Sequence, residues 1–233
     1  METRQRLERQ IVGEDLARFA LNEVGKRYGK RPGDGVTPLA YHNFHHSLGV
    51  VKAGEAIAIS AANRGKINKD DVVLVKIAAS FHDIEQGLGG GMNEQESARI
   101  AEGYLRKKGV FNEEDIAKVK RMIMATVVDY SSGWLKQSAT DDYLTQILAD
   151  ADLSSLGAKP DIYWGKAESL LKELKKTDSP NNEDLRNFLG TQDKFLENHK
   201  FYTDEANILF PHKKENIEFT HKLLAEISPR TSD

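Results

Sequence analysis

Cysteine is absent from all 233 residues of the sequence. This absence excludes disulfides, thiolate zinc sites, iron–sulfur clusters and a cysteine nucleophile. Any metal ion must therefore be held by histidine, aspartate or glutamate. Histidine is itself scarce, with only seven residues in the chain.

A large net charge and long apolar runs are also missing. The 33 basic and 36 acidic residues give a formal net charge of −3, so no overall field favours nucleic acid or an anionic membrane as a partner. No segment approaches the length needed to cross a bilayer, and residues 1–19 contain no continuous apolar stretch of the signal-peptide kind. We expect a cytoplasmic protein that binds neither nucleic acid nor membranes.

Helical periodicity covers most of the chain, and no convincing alternation predicts strands. With 39% hydrophobic residues the chain can bury a substantial core, and one domain is the simpler expectation for this length. Val127 and Val128 are β-branched but lie inside a longer helical pattern. We predict an all-α, single-domain helical bundle, with a break at residues 30–35 and a flexible loop at residues 134–140. The predicted helices span residues 8–28, 42–63, 71–85, 93–107, 112–127, 141–155, 161–175, 182–198 and 203–227.

The segment 71–85 is apolar on most of its circumference, which predicts a central, buried helix. Asn68 or Asp70 is expected to cap its start. Its end carries the pair His82-Asp83, and a glycine-rich run at residues 87–91 follows. The pair is therefore expected where a core helix opens into a loop.

Three groups of histidine and aspartate together suggest a metal site. The segment Tyr41–His46 contains His42 and His46, which are four residues apart and are expected on one face of a helix. His82 and Asp83 should diverge by about 100° on a helix. A later predicted helix carries Asp150-Ala151-Asp152. Each group alone is weak, because a histidine is more often a core or surface residue and an Asp-Ala-Asp sequence can cap a helix.

The ordered pattern of His46, His82-Asp83 and Asp152 resembles the H…HD…D pattern of the HD superfamily of metal-dependent phosphohydrolases, which have an all-α scaffold. The resemblance covers roughly residues 41–157. It implies that His46, His82, Asp83 and Asp152 bind one divalent metal ion, which could be Mn, Ni, Fe, Co, Zn or Mg. Asp152 ranks above Asp150 because the family's last ligand usually follows Ala or Cys. The implied organisation is one domain over residues 1–233, with an HD core at about 37–160 and C-terminal helices at about 161–228 packing on it.

The segment Tyr41–His46 is also similar to the YHNxxH motif of cyclic-nucleotide phosphodiesterases. That similarity implies that His42 donates a proton to the leaving oxygen, and a histidine that merely starts a helix is the equally weighted alternative. Other features depart from well-known relatives. No histidine lies between Asp83 and Asp152, which favours a single metal ion. Gln86 stands where phosphodiesterases have a histidine, and no acidic pair of the guanosine tetraphosphate hydrolase kind follows Asp83.

The resemblance implies hydrolysis of a phosphomonoester, phosphodiester or phosphoanhydride in a small, nucleotide-like substrate. Asp83 or Asp152 is then available to accept a proton, and Glu85 and Glu96 are candidates to orient a ligand histidine. Three basic residues are candidates to neutralise substrate charge, although each is more typical of a solvated surface: Lys52, Arg99 and Lys159. The rival hypothesis is a regulatory protein that binds metal or nucleotide without catalysis. The sequence also leaves a homo-oligomer open.

Overall fold

Helices form nearly all the regular structure in the computed structural model, which describes residues 2–29, 38–89, 91–129, 136–138 and 141–227. The fold is all-α, as predicted. The helices are α1 (Glu2–Tyr28), α2 (Phe44–Asn63), α3 (Asp71–Phe81), α4 (Met92–Lys108), α5 (Glu113–Met124), α6 (Tyr143–Asp152), α7 (Pro160–Lys175), α8 (Asn182–Asn198), α9 (Asp204–Leu209) and α10 (Lys213–Ile227), with a 3-10 turn at Ser154–Gly157.

Helix α3 lies at the centre of the main core, as its apolar circumference predicts. It packs against α1, α2, α4, α5 and α6. Leu74, Ile77 and Phe81 are completely buried, and burial of such side chains contributes roughly 1.5–3 kcal/mol each. The end of α3 therefore lies where several helices meet.

A second apolar cluster joins the C-terminal helices. Tyr163 and Leu171 of α7 pack with Phe188 and Phe195 of α8, and Ile217 of α10 packs against this group. Other residues of α7 are half-buried, and some of them contact the site described below.

Two helices near the predicted site begin or end differently from the sequence prediction. Helix α2 begins at Phe44 rather than at His42, because Asn43 is the N-cap and His42 lies in the bend before it. Helix α3 ends at Phe81 rather than at residue 85, so His82 and Asp83 lie in the turn that follows. Asp70 is at the N-cap position of α3, as expected, but its side chain makes no capping hydrogen bond.

Two other predictions were wrong in detail. The predicted helix 203–227 is divided into α9 and α10 because Pro211, which lacks an N–H, lies between them. The predicted helix 112–127 ends at Met124. Val128–Asp129 (β1) instead pairs antiparallel with Lys136–Gln137 (β2), with Val128 opposite Gln137.

Several predicted features lie outside the described residues: the break at 30–35, Gly90 of the glycine run, and most of the loop at 134–140. Among the described helices, none combines the length and the apolar content required to cross a bilayer.

Candidate metal centre

Asn43 sets the start of α2 and with it the position of His46. Its Oδ1 accepts hydrogen bonds from the backbone N–H groups of His45 (2.9 Å) and His46 (3.4 Å), as expected for an N-cap. Its Nδ2 donates to the carbonyl oxygens of Leu39 and Ala40, both at 3.0 Å. The side chain of His46, in the first turn, is thereby directed into the protein and is 4% exposed, whereas His45 is exposed.

His82 closes α3 with its side chain. Its Nδ1 lies 2.8 Å from the carbonyl oxygen of Ala79 and can only donate to that acceptor, so the proton sits on Nδ1. Nε2 is then the free nitrogen, and it lies 3.4 Å from Nε2 of His46. Two ring nitrogens that face each other at this distance are suited to share a cation.

Asp83 and Asp152 complete the group. Oδ1 of Asp83 accepts a hydrogen bond from Gln86 Nε2 (2.9 Å), which leaves Oδ2 at 3.2 Å from His46 Nε2 and 3.1 Å from His82 Nε2. Oδ2 of Asp152 accepts from Gln137 Nε2 (2.8 Å), which leaves Oδ1 at 3.2 Å and 3.5 Å from the same two nitrogens. The short β1–β2 pair therefore positions Gln137 against the site.

Three of these residues, His46, His82 and Asp83, bring donor atoms within 4.8 Å of one another, and these atoms fit a divalent metal ion. Oδ1 of Asp152 approaches the two histidine nitrogens but lies outside that group of three. Metal–ligand bonds of about 2.0–2.2 Å at right-angled to tetrahedral geometry place neighbouring ligand atoms about 2.8–3.6 Å apart, which spans the separations observed here. Oδ2 of Asp83 is buried and has no hydrogen-bond partner among the described residues, although buried polar atoms are almost always paired. The nitrogen and oxygen donors suit Mn, Fe, Co, Ni or Zn comparably.

The electrostatics show how strongly this group attracts positive charge. Burial by itself lowers the pKa of His82, but the nearby carboxylates of Asp83 and Asp152 outweigh burial and raise that pKa well above its ordinary value. Burial raises the pKa of both carboxyl groups, but the two histidines outweigh it. They hold the pKa of Asp83 well below its usual range and that of Asp152 at about 2. Both carboxylates are charged at neutral pH.

Asp150 does not reach this group. Its Oδ1 accepts from the backbone N–H of Tyr202 at 2.8 Å. Its Oδ2 accepts from the backbone N–H of Thr203 at 2.8 Å and from the Thr203 hydroxyl at 2.6 Å. Asp152 is therefore the aspartate of this pair that faces the histidines, and Asp150 fastens the start of α9 to α6.

His42 is held beside the centre by a residue from a distant part of the chain. Its Nδ1 lies 2.5 Å from Oε1 of Glu173 on α7, and Oε2 of Glu173 accepts from the backbone N–H groups of Tyr41 (2.7 Å) and His42 (3.0 Å). Burial lowers the pKa of His42, but Glu173, together with the charges of Asp83 and Asp152, outweighs burial and raises it. The rings of His42 and His46 are 5.7 Å apart, edge to face, even though His42 precedes the helix.

The other predicted site residues lie away from these donors. Lys52 and Lys159 are exposed, and Arg99 is exposed and paired with Glu96 at 2.5 Å. Glu85 accepts from Arg27 at 3.0 Å. No contact among the described residues joins any of them to the histidine and aspartate group, so their roles stay predictions.

Sequence reasoning missed four residues near the centre: Gln86, Gln137, Glu173 and Glu94. Glu94, in the first turn of α4, has a buried Oε2 without a partner among the described residues. Burial and the charges of Asp83 and Asp152 raise the pKa of Glu94. Glu173 is 131 residues from His42, so no local pattern could have indicated their contact.

A second group of donor atoms lies on the surface between α8 and α10: Asp193, Glu197 and His221. Glu197 and His221 are exposed, with 54% and 51% of their side chains accessible. Solvated groups of this kind are common without a metal ion, so we place the candidate centre at the buried group.

The fold is similar to that of a solved enzyme domain. The phosphodiesterase domain of rhodopsin phosphodiesterase from Salpingoeca rosetta aligns with a TM-score of 0.64 over 91% of this chain and 82% of that chain, at 16% sequence identity. No family model and no curated protein matches the sequence. The likeness shows a shared helical fold.

Proposed function

We propose that the protein is a metal-dependent phosphohydrolase of the HD type, which hydrolyses a phosphate ester or anhydride bond in a small, nucleotide-like molecule. One observation carries this proposal. Donor atoms of His46, His82 and Asp83 converge within 4.8 Å of one another in a buried position. Oδ1 of Asp152 lies 3.2 Å and 3.5 Å from the two histidine nitrogens. The helical fold shared with a phosphodiesterase domain supports the same conclusion.

The proposed ligands for one divalent ion are His46, His82, Asp83 and Asp152. Such an ion supplies positive charge that polarises a phosphoryl oxygen and lowers the pKa of water. Phosphoryl transfer otherwise needs positioning and proton transfer from the protein. The charged carboxylates of Asp83 and Asp152 are available to accept the proton that the attacking water loses.

We assign His42 as the proton donor to the leaving oxygen. Glu173 holds the Nδ1 proton, so Nε2 is the nitrogen left for the substrate. Because Glu173 raises the pKa of His42, the ring carries its proton to a higher pH than a free histidine does. Glu173 acts through His42 and is therefore a positioning residue. The organisation proposed for the whole chain is one domain, with an HD core at about 37–160 and the C-terminal helices at about 161–228 on it.

The test is a hydrolysis assay of the purified protein reconstituted with Mn, Ni, Co, Zn or Mg. The substrates are p-nitrophenyl phosphate, bis-p-nitrophenyl phosphate, and a panel of linear and cyclic nucleotides. We expect release of phosphate or alcohol that depends on the added metal and is abolished by a chelator. A protein with confirmed bound metal that hydrolyses none of these compounds contradicts the proposal and favours a regulatory binding protein.

A further inference from the structure

A cavity of about 290 Å³ lies between α7 and the segment that carries His42. Its walls include Tyr41, Asn43 and His45 on one side and Ile162, Gly165 and Lys166 on the other. This volume is near the lower end of the range for small-molecule sites. It has room for a compact group rather than for a whole nucleotide.

Lys166 is a half-buried cation on α7. No carboxylate within the described ranges pairs with its Nζ, in contrast to Lys172 and Lys175 on the same helix, which pair with Glu168 and Asp184. Burial lowers the pKa of Lys166, and no neighbouring charge opposes this. A partly desolvated ammonium group gains free energy when an anion enters beside it.

Gly165 lines the cavity and is exposed. A Cβ atom added at Gly165 would meet no atom within 4 Å, although the residue is in the interior of α7. Glycine in a helix interior destabilises the helix by roughly 0.5–1 kcal/mol relative to alanine. At Gly165 the cavity wall therefore consists of backbone alone.

The cavity shares a wall with the candidate metal centre. Lys166 and Glu173 are seven residues apart, so they lie on the same face of α7. Glu173 binds the backbone of Tyr41 and His42, and the Tyr41 ring lies 4.5 Å from the His46 ring. Tyr41 therefore lines the cavity and also packs against the candidate centre.

We propose that this cavity is a subsite for a second phosphate group of the substrate, bound by the ammonium group of Lys166 and the exposed imidazole of His45. Asp161 is the one carboxylate among the lining residues, and it is exposed, so solvent screens its charge. The proposal rests on the proposed phosphohydrolase function. It narrows the substrate to a molecule with two separate phosphate groups, of which one is hydrolysed.

The binding experiment uses inorganic phosphate as the probe, with a chelator present so that the metal centre is empty. Calorimetric titration of the whole chain should show one site. Lys166→Met should weaken it on the order of tenfold, as expected for loss of one charge-assisted contact. Gly165→Leu should weaken it by filling the space. Lys166→Arg, which keeps the charge, and Lys222→Met, which removes an exposed lysine of α10, should bind like the parent. Equal phosphate affinity in the parent and Lys166→Met, or no binding by the parent, overturns the subsite.

The kinetic experiment compares a nucleoside 3′,5′-bisphosphate with the 5′-monophosphate. Lys166→Met should raise KM for the bisphosphate on the order of tenfold at unchanged kcat, and should leave the monophosphate unaffected. If phosphate binding depends on Lys166 but KM for the bisphosphate does not change selectively, the site does not bind the substrate. That result overturns the assignment and indicates free phosphate as the occupant. If the parent hydrolyses neither compound, the proposed function fails while the binding result still decides the subsite.

Discussion

Three side chains at the candidate centre, those of His82, Asp83 and Asp152, are oriented by a second hydrogen bond that points away from the shared group. His82 donates from Nδ1 to Ala79, and Asp83 accepts from Gln86 on the oxygen that faces away from the histidines. Asp152 is held in the same way by Gln137. These second bonds were not predictable from the motif. Gln86 attracted notice only because it is not a histidine, and its structural role is to orient a carboxylate.

Glu173 is a single residue whose replacement is expected to change the rate of hydrolysis. Glu173→Gln should lower kcat about 10²-fold, because His42 loses the partner that keeps it protonated and oriented. A proton donor is active below its pKa, and that pKa falls when the carboxylate is removed. The alkaline limb of the pH–rate profile should therefore move to lower pH.

The matched control is Glu168→Gln on the same helix, since the ion pair of Glu168 among the described residues is the one with Lys172. Its profile should coincide with that of the parent. If Glu173→Gln changes the rate equally at all pH values, or not at all, Glu173 does not act through His42.

At the scale of helices, the donors lie at helix ends. His46 is in the first turn of α2, His82 caps the end of α3, and Asp152 is the last residue of α6. Periodicity identified these helices but placed the end of α3 four residues too late. Distant hydroxyl groups account for the difference. Tyr28 accepts from the backbone N–H of residue 86, and Ser97 accepts from that of residue 85, so these groups do not continue the helix.

Asp150 attaches the start of α9 to α6, and its removal is expected to destabilise the fold. Asp150→Ala leaves two backbone N–H groups and the Thr203 hydroxyl without their acceptor, so the free energy of unfolding should fall by about 1–3 kcal/mol. Urea denaturation in the presence of a chelator measures this change without a contribution from bound metal.

Asp204→Ala is the control for this measurement, because Asp204 belongs to the same short helix but is 78% exposed. Its effect should be within about 0.5 kcal/mol. Equal stabilities of the Asp150→Ala and Asp204→Ala proteins would contradict the anchoring role of Asp150.

At the scale of the whole molecule, the centre joins parts of the chain from residue 46 to residue 152, and Glu173 reaches it from the C-terminal helices. The all-α fold and the ordered histidines and aspartates were predictable, since both leave a pattern in the sequence. The contact between His42 and Glu173 was not, because it depends on how α7 packs. The single-domain organisation and the substrate-binding roles of Lys52, Arg99 and Lys159 stay predictions.

The most direct measurement is the metal content of the purified protein and of two variants, by elemental analysis. The parent and Asp178→Asn, which alters an exposed carboxylate, should each retain about one divalent ion per chain. Asp83→Asn should retain almost none and lose metal-dependent hydrolysis, while its helical circular dichroism stays that of the parent. Bound metal should also stabilise the parent, by about 4 kcal/mol at a thousandfold excess over Kd. Equal metal retention by Asp83→Asn and Asp178→Asn would contradict the assignment of the buried group as the metal centre.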